Sequence, residues 1–257
     1  VTGRTDTGSY IYAAGRAVGD LTGLHGLRDA PLRVVGWQDL EAIVSTVELE
    51  EFGEVPLRQH LEDLGWLEEV ARVHDRVVRA AWSATGAVAP FRLATICTTD
   101  EAVRTRLISL YDELASALDR VAGRSEWTVK AFLTPEPAAE SSAAASTRPA
   151  SGTAYLMRRR DQLGQRHRSA VDAQAVADDI HHRIASSADA CRRLPPQDRR
   201  LTGYDEPMIL NGAYLVDDRD SELFRAAVDE FAGHRPEVRL TVDGPWPPYS
   251  FTSLEPA

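Results

Sequence analysis

The residues most suggestive of chemistry are Asp178, Asp179, His181 and His182. On one helix Asp178 and His182 stand at i and i+4 and share a face, a spacing at which a carboxylate and an imidazole can hold a cation. A metal site needs further ligands, and adjacent histidines on a long polar helix more often meet solvent, so solvated side chains are the plainer reading. Cys191 lies just beyond and reads as packing rather than as a ligand. Arg158, Arg159 and Arg160, followed by Arg166, His167 and Arg168, make one stretch locally positive, where an acidic partner surface could dock. A solvated face balanced by acidic residues elsewhere accounts for it more simply in a chain of formal charge -10. Arg92 is the odd residue of an apolar run, Ala87 to Ile96. Buried, its guanidinium needs a carboxylate or carbonyl partner. Facing a groove, it would anchor a partner's carboxylate through paired hydrogen bonds. Gly244 to Phe251 reads GPWPPYSF, which cannot be helical and donates few ladder hydrogen bonds. This predicts a stiff strap whose Trp246, Tyr249 and Phe251 staple it onto the core or, if exposed, form a docking surface.

The strong enzyme signatures are absent: no GxxxxGK[ST], no GxGxxG opening a helix, no GxSxG and no HExxH occurs. The sequence therefore points to binding rather than catalysis, with no cofactor and no metal. With 43% hydrophobic and 26% charged residues among 257, the chain has the composition of a folded globular protein. Its acidic field disfavours nucleic acid and anionic membrane surfaces. Cys97 and Cys191 lie far apart with no CxxC spacing, which suits a reducing cytoplasm. Neither an export signal in Val1 to Ser9 nor a run of about 18 apolar residues is present, so export and a membrane span are not expected.

The elements that must position these residues divide into two α+β halves. Tyr10 to Ala14 predicts a strand, then a loop containing Gly19, Gly23 and Gly26, then a hairpin of Leu32 to Val35 with Glu41 to Val47. Leu57, Leu61, Leu64, Leu67, Val70, Val73, Val77 and Ala81 lay one stripe along a helix from Leu57 to Thr85. Ala87 to Cys97 reads as a buried strand. Thr99 or Asp100 then caps a second helix ending near Gly123, whose inner face carries Val103, Leu107, Leu110, Leu114 and Leu118. Glu126 to Leu133 closes this half, 1–133, as a strand with Trp127, Val129, Ala131 and Leu133 on one face.

Thr134 to Ser151 is mostly Pro, Ala, Ser, Thr and Glu, too poor in large apolar groups to offset ordering entropy, and predicts a flexible linker. In the second half, 152–257, a mainly helical stretch from Thr153 to Leu194 has a thin stripe through Leu156, Leu163, Val171, Val176, Ile180 and Ile184, which suits coiled-coil packing. A strand from Met208 to Val216, a helix from Ser221 to Ala232 and a strand from Glu237 to Val242 follow.

The GPWPPYSF block, together with AVAPFRLATIC from Ala87, EWTVKAF from Glu126, SGTAYLMRRR from Ser151 and the opening YIYAAG, resembles the gas vesicle GvpF/GvpL family from Tyr10 to Phe251. The resemblance implies a two-domain α+β protein whose first domain is a variant of the ferredoxin-like arrangement. It also implies a non-catalytic accessory or minor structural component of gas vesicles in the cytoplasm. Its partners would be the small hydrophobic shell protein and other accessory proteins. Arg92, Arg158, Arg159, Trp246 and Tyr249 are the candidate partner contacts. A rival reading is a regulatory protein that binds a small ligand on ferredoxin-like domains.

Overall fold

The structure, a computed structural model, describes residues 6–134, 172–198 and 203–252. It is an α+β protein with two antiparallel sheets. The chain divides into two compact units, Val1–Glu126 with Pro245–Ala257, and Trp127–Gly244.

The first unit is built on β1 (Thr7–Gly15), β2 (Leu32–Trp37), β3 (Leu40–Glu48), β4 (Val88–Pro90) and β5 (Ile96–Cys97), in the order β2-β3-β1-β4 with β5 also on β1. Gln38 and Asp39 turn β2 into β3, with Gln38 at φ 52°. β1 is buried along nearly all its length, because helices cover both faces of the sheet. Tyr10, Tyr12 and Ile43 pack with Val70, Val77, Val78 and Ala81 of α3 (Leu64–Thr85). On the other face Ile11, Val35 and Val44 meet Val103 and Leu107 of α4 (Asp100–Ser109) and Leu114 and Leu118 of α5 (Tyr111–Val121). Tyr10 and Tyr12 thus serve one face and Ile11 the other, as a pleated strand requires. Two short helices, Leu49–Phe52 and Glu54–His60, precede α3.

The second unit's sheet runs β7-β8-β6-β9, from β6 (Arg124–Leu133), β7 (Ala190–Arg193), β8 (Met208–Asp217) and β9 (Val238–Trp246). The helix α6 at 172–185 and α7 (Ser221–Gly233) bring Ala177, Ile180, Ile184, Phe224 and Val228 onto Trp127, Val129, Ala131, Tyr214 and Val216. Counted within its own unit, each sheet has the same order, second-third-first-fourth.

Several expected elements differ in detail, each for a local reason. The helix expected from Leu57 to Thr85 breaks at 61–63, where Asp63 accepts the N–H groups of Gly65 and Trp66 and starts α3 afresh. Leu61 and Leu64 consequently fall off the buried stripe and are exposed. The second helix is split at Leu110, whose φ and ψ of -108° and 10° leave the helical region, although its predicted inner face is the one buried. Thr99 is its cap, accepting the N–H of Ala102 at 3.1 Å. The apolar run Ala87 to Cys97 is not one strand but β4 and β5 around a turn with Ala94 at φ 61°. β7 lies within the stretch read as helix to Leu194, after α6 gives way to a turn at Ser186 to Ala188. β6 occupies an interior position in the second sheet. The proposed linker, beyond Thr134, and the stretch 153–171 of the long helix lie outside the described residues.

Candidate functional site

The first unit encloses a polar network in its core. Tyr10 Oη lies 3.1 Å from His74 Nδ1 and accepts the Ala94 N–H at 3.0 Å. Tyr12 Oη lies 2.7 Å from Ser45 Oγ and accepts the Leu27 N–H at 2.8 Å. Two buried tyrosines on one face of β1 therefore fix the glycine-rich loop through Leu27 and the β4–β5 turn through Ala94. Gly26 is required where this loop arrives, since a Cβ there would stand 2.3 Å from Tyr12 Oη and 2.8 Å from Ser45 Oγ. Burial raises the phenol pKa of both tyrosines and lowers that of His74 to about 4, so the network is uncharged at neutral pH.

The loop so fixed forms one wall of an open groove of about 290 Å³ lined by Gly19 to His25 and by Pro31 to Val34 of the edge strand β2. Asp20 braces the loop by accepting the Thr22 N–H at 2.8 Å. On the opposite wall Arg33 donates to Asp100 Oδ1 at 2.7 Å and Ser9 Oγ at 2.9 Å. Among the described residues β2 pairs only with β3, and Val34 and Trp37 are among the large apolar side chains left exposed. Pairing alternates outward from the two-residue turn, so the N–H groups of Val34 and Gly36 point to the unpaired side.

The residues singled out from sequence fall in separate places. Arg92 is exposed in the β4–β5 turn rather than buried in a strand, and the expected ion pair is absent among the described residues. Its carbonyl accepts from the N–H and hydroxyl of Thr95 and closes the turn. Arg158 and Arg159 lie outside the described residues. Trp246 and Tyr249 are engaged within the first unit. The Arg79 guanidinium stands 4.1 Å from the Trp246 ring centroid, and Tyr249 Oη donates to Asp75 at 3.2 Å while its ring packs on the core. Glu126 accepts both the N–H and the hydroxyl of Ser250 at 2.7 Å, Arg120 donates to the Phe251 carbonyl at 3.1 Å, and Phe251 is buried. The strap is thus stapled down. Asp178 pairs with Arg193 at 2.5 Å, and His182 is exposed. Among the described residues no group of three or more His, Cys, Asp and Glu is placed to hold a metal ion, and no helix is long and apolar enough to cross a membrane.

Sequence reasoning missed Tyr10, Tyr12, His74 and Ser45 as a unit, because polar groups that meet across a core leave no spacing in the sequence. Val34 and Trp37 stood in the predicted hairpin, but their exposure depends on which strand lies at the sheet edge.

The class defined by these features is an α+β protein of two like-ordered antiparallel sheets, with an open strand edge beside a glycine-rich groove. The model of the family described as "Gas vesicle synthesis protein GvpL/GvpF" matches residues 8–253. The chain is 39% identical over 254 residues to gas vesicle protein L of Streptomyces sp. (strain CB03234), covering 97% of this chain and 94% of that one. It is 29% identical over 86 residues to gas vesicle protein F2 of Halobacterium salinarum, covering 34% and 36% of the two chains. The crystal structure of GvpF from Anabaena sp. PCC7120 has the same fold, with a TM-score of 0.66 at 18% identity and 97% of both chains covered. That of GvpF from Microcystis aeruginosa gives 0.65 at 17% identity, covering 96% of this chain and 99% of the other. The chain belongs to the gas vesicle GvpL/GvpF family.

Proposed function

We propose that this protein is an accessory or minor structural protein of gas vesicles, acting in the cytoplasm by binding the hydrophobic shell protein and other accessory proteins during assembly. Family membership supplies the vesicle role, and the unpaired β2 edge is the observation that supports the mode of binding. A subunit with a gas-facing apolar surface aggregates in water unless another surface shields it. An extended segment of the shell protein would add a strand beside β2, taking the outward N–H groups of Val34 and Gly36 and packing apolar side chains on Val34 and Trp37. The net charge of -10 keeps such an escort soluble. The first unit is then a variant ferredoxin-like domain. Arg92, exposed on its turn, is free to meet a carboxylate of an accessory partner, and Arg158 and Arg159 would add a second basic contact. The activity is binding, without catalysis, nucleic acid or membrane.

Copurification with coexpressed shell protein tests this reading. Val34→Pro removes an outward N–H that the fold does not use, so the expected result is loss of capture with an unchanged melting curve. A double variant, Val34→Ser with Trp37→Ser, tests the apolar share of the contact. Capture undiminished in both would refute edge pairing.

A further inference from the structure

The second unit places a thiol, an imidazole and a phenol in line. Cys191 of β7 and Tyr214 of β8 are direct cross-strand partners, so their side chains stand on the same face of the sheet. α6 lies over that face and bridges them with His181: Nδ1 is 2.8 Å from Tyr214 Oη and Nε2 is 3.7 Å from Cys191 Sγ. The sulfur is exposed, because β7 is an edge strand, while the phenol is fully buried. This is the order of a nucleophile, its base and the group that orients the base.

We propose that Cys191 is a site of reversible S-thiolation by small disulfides, with His181 as the base that activates it. In the tautomer whose Nδ1–H is given to Tyr214 Oη, the Nε2 lone pair faces the thiol. Nε2 takes the Sγ proton as the thiolate attacks one sulfur of the disulfide. The Cys191–sulfur bond forms, the disulfide bond breaks, and the departing thiolate takes the proton back from His181. One protein thiol and one small disulfide become one mixed disulfide and one small thiol, with no external oxidant. The surroundings keep the base neutral: burial, then the Arg193 guanidinium, lower the His181 pKa, against Asp178, which raises it, while His182 lowers it further. Burial keeps Tyr214 protonated far above neutral pH. Cys97 has no such arrangement, since burial raises its thiol pKa and no histidine stands on it among the described residues.

The test uses the full chain and two named disulfides. With 5,5'-dithiobis(2-nitrobenzoate) at pH 7, Cys97→Ser, which keeps Cys191, should react at least about tenfold faster than Cys191→Ser, which keeps Cys97. Adding His181→Gln to Cys97→Ser should cost on the order of tenfold, and Tyr214→Phe a smaller factor. Incubation with oxidised glutathione should add one glutathione at Cys191 by mass spectrometry, removed by dithiothreitol. A measurement on Cys97→Ser in urea guards against misfolded variants: unfolding should slow Cys191 to the rate of a free model thiol in the same urea. Equal rates for the folded and unfolded thiol, or no loss with His181→Gln in a folded protein, would overturn the proposal.

Discussion

In the first unit Tyr10 meets His74 Nδ1 at 3.1 Å, and in the second Tyr214 meets His181 Nδ1 at 2.8 Å. Each pair joins a buried strand to the helix above it, and each is backed by a phenylalanine, Phe52 beside Tyr10 and Phe224 beside Tyr214. The surroundings of the second imidazole nitrogen differ. His74 is 4% exposed with its Nε2 sealed in the core, whereas His181 is partly exposed and its Nε2 reaches Cys191 at the edge strand. The same hydrogen bond is therefore a sealed core contact in one unit and the back of an accessible thiol in the other. Reactivity follows from what the far side of the ring faces, not from the pair itself.

The largest effects come from removing the ring behind each pair. Phe52→Ala and Phe224→Ala should each cost about 3–5 kcal/mol in urea unfolding, since both side chains are buried and their loss leaves a cavity. A cost confined to one of the two would break the parallel. Acid should separate the units next. His74 has a folded pKa of about 4 against the ordinary 6.5, so between those values the unfolded chain takes up a proton that the folded chain refuses. Stability present above pH 6.5 is lost as the pH falls towards 4, by about 3 kcal/mol from this group. Melting curves across that window should flatten strongly in His74→Leu. His181 is shifted in the same direction, and His181→Gln should flatten them less.

Smaller changes sharpen the contrast. Glu126→Gln weakens the charge-assisted bonds to Ser250 and should cost about 1–2 kcal/mol, seen together with earlier proteolysis of the strap. Cys191→Ser should alter stability by less than about 0.5 kcal/mol, because the thiol is exposed. A larger loss there would mean that the second unit's pair is structural, like the first.

Much of the fold was legible because it rests on local periodicity. The β2–β3 hairpin, the inner face Val103, Leu107, Leu114 and Leu118, and the row Trp127, Val129 and Ala131 can all be read from spacing, and the last two sets are buried as spacing implies. The exceptions sit where one residue's polar bond overrides the pattern. Asp63 caps a new helix inside a continuous apolar stripe, and the Thr95 hydroxyl helps turn the chain where Arg92 was read as part of a strand. β7 had no strand signal, since Ala190, Cys191, Arg192 and Arg193 owe their conformation to pairing with β8. The partner of a polar side chain was the least legible feature, because Tyr10 and His74 are 64 residues apart.

The strap has a consequence for the order of synthesis. Ser250 and Phe251 complete the first unit through Glu126 and Arg120, yet a ribosome makes them only after every residue of the second. The earlier unit must therefore wait, its Glu126 carboxylate unengaged by Ser250, until translation has passed the later one. Cutting the chain between 135 and 171 would reproduce that unfinished state permanently, and would also deprive the downstream piece of β6, an interior strand of its sheet.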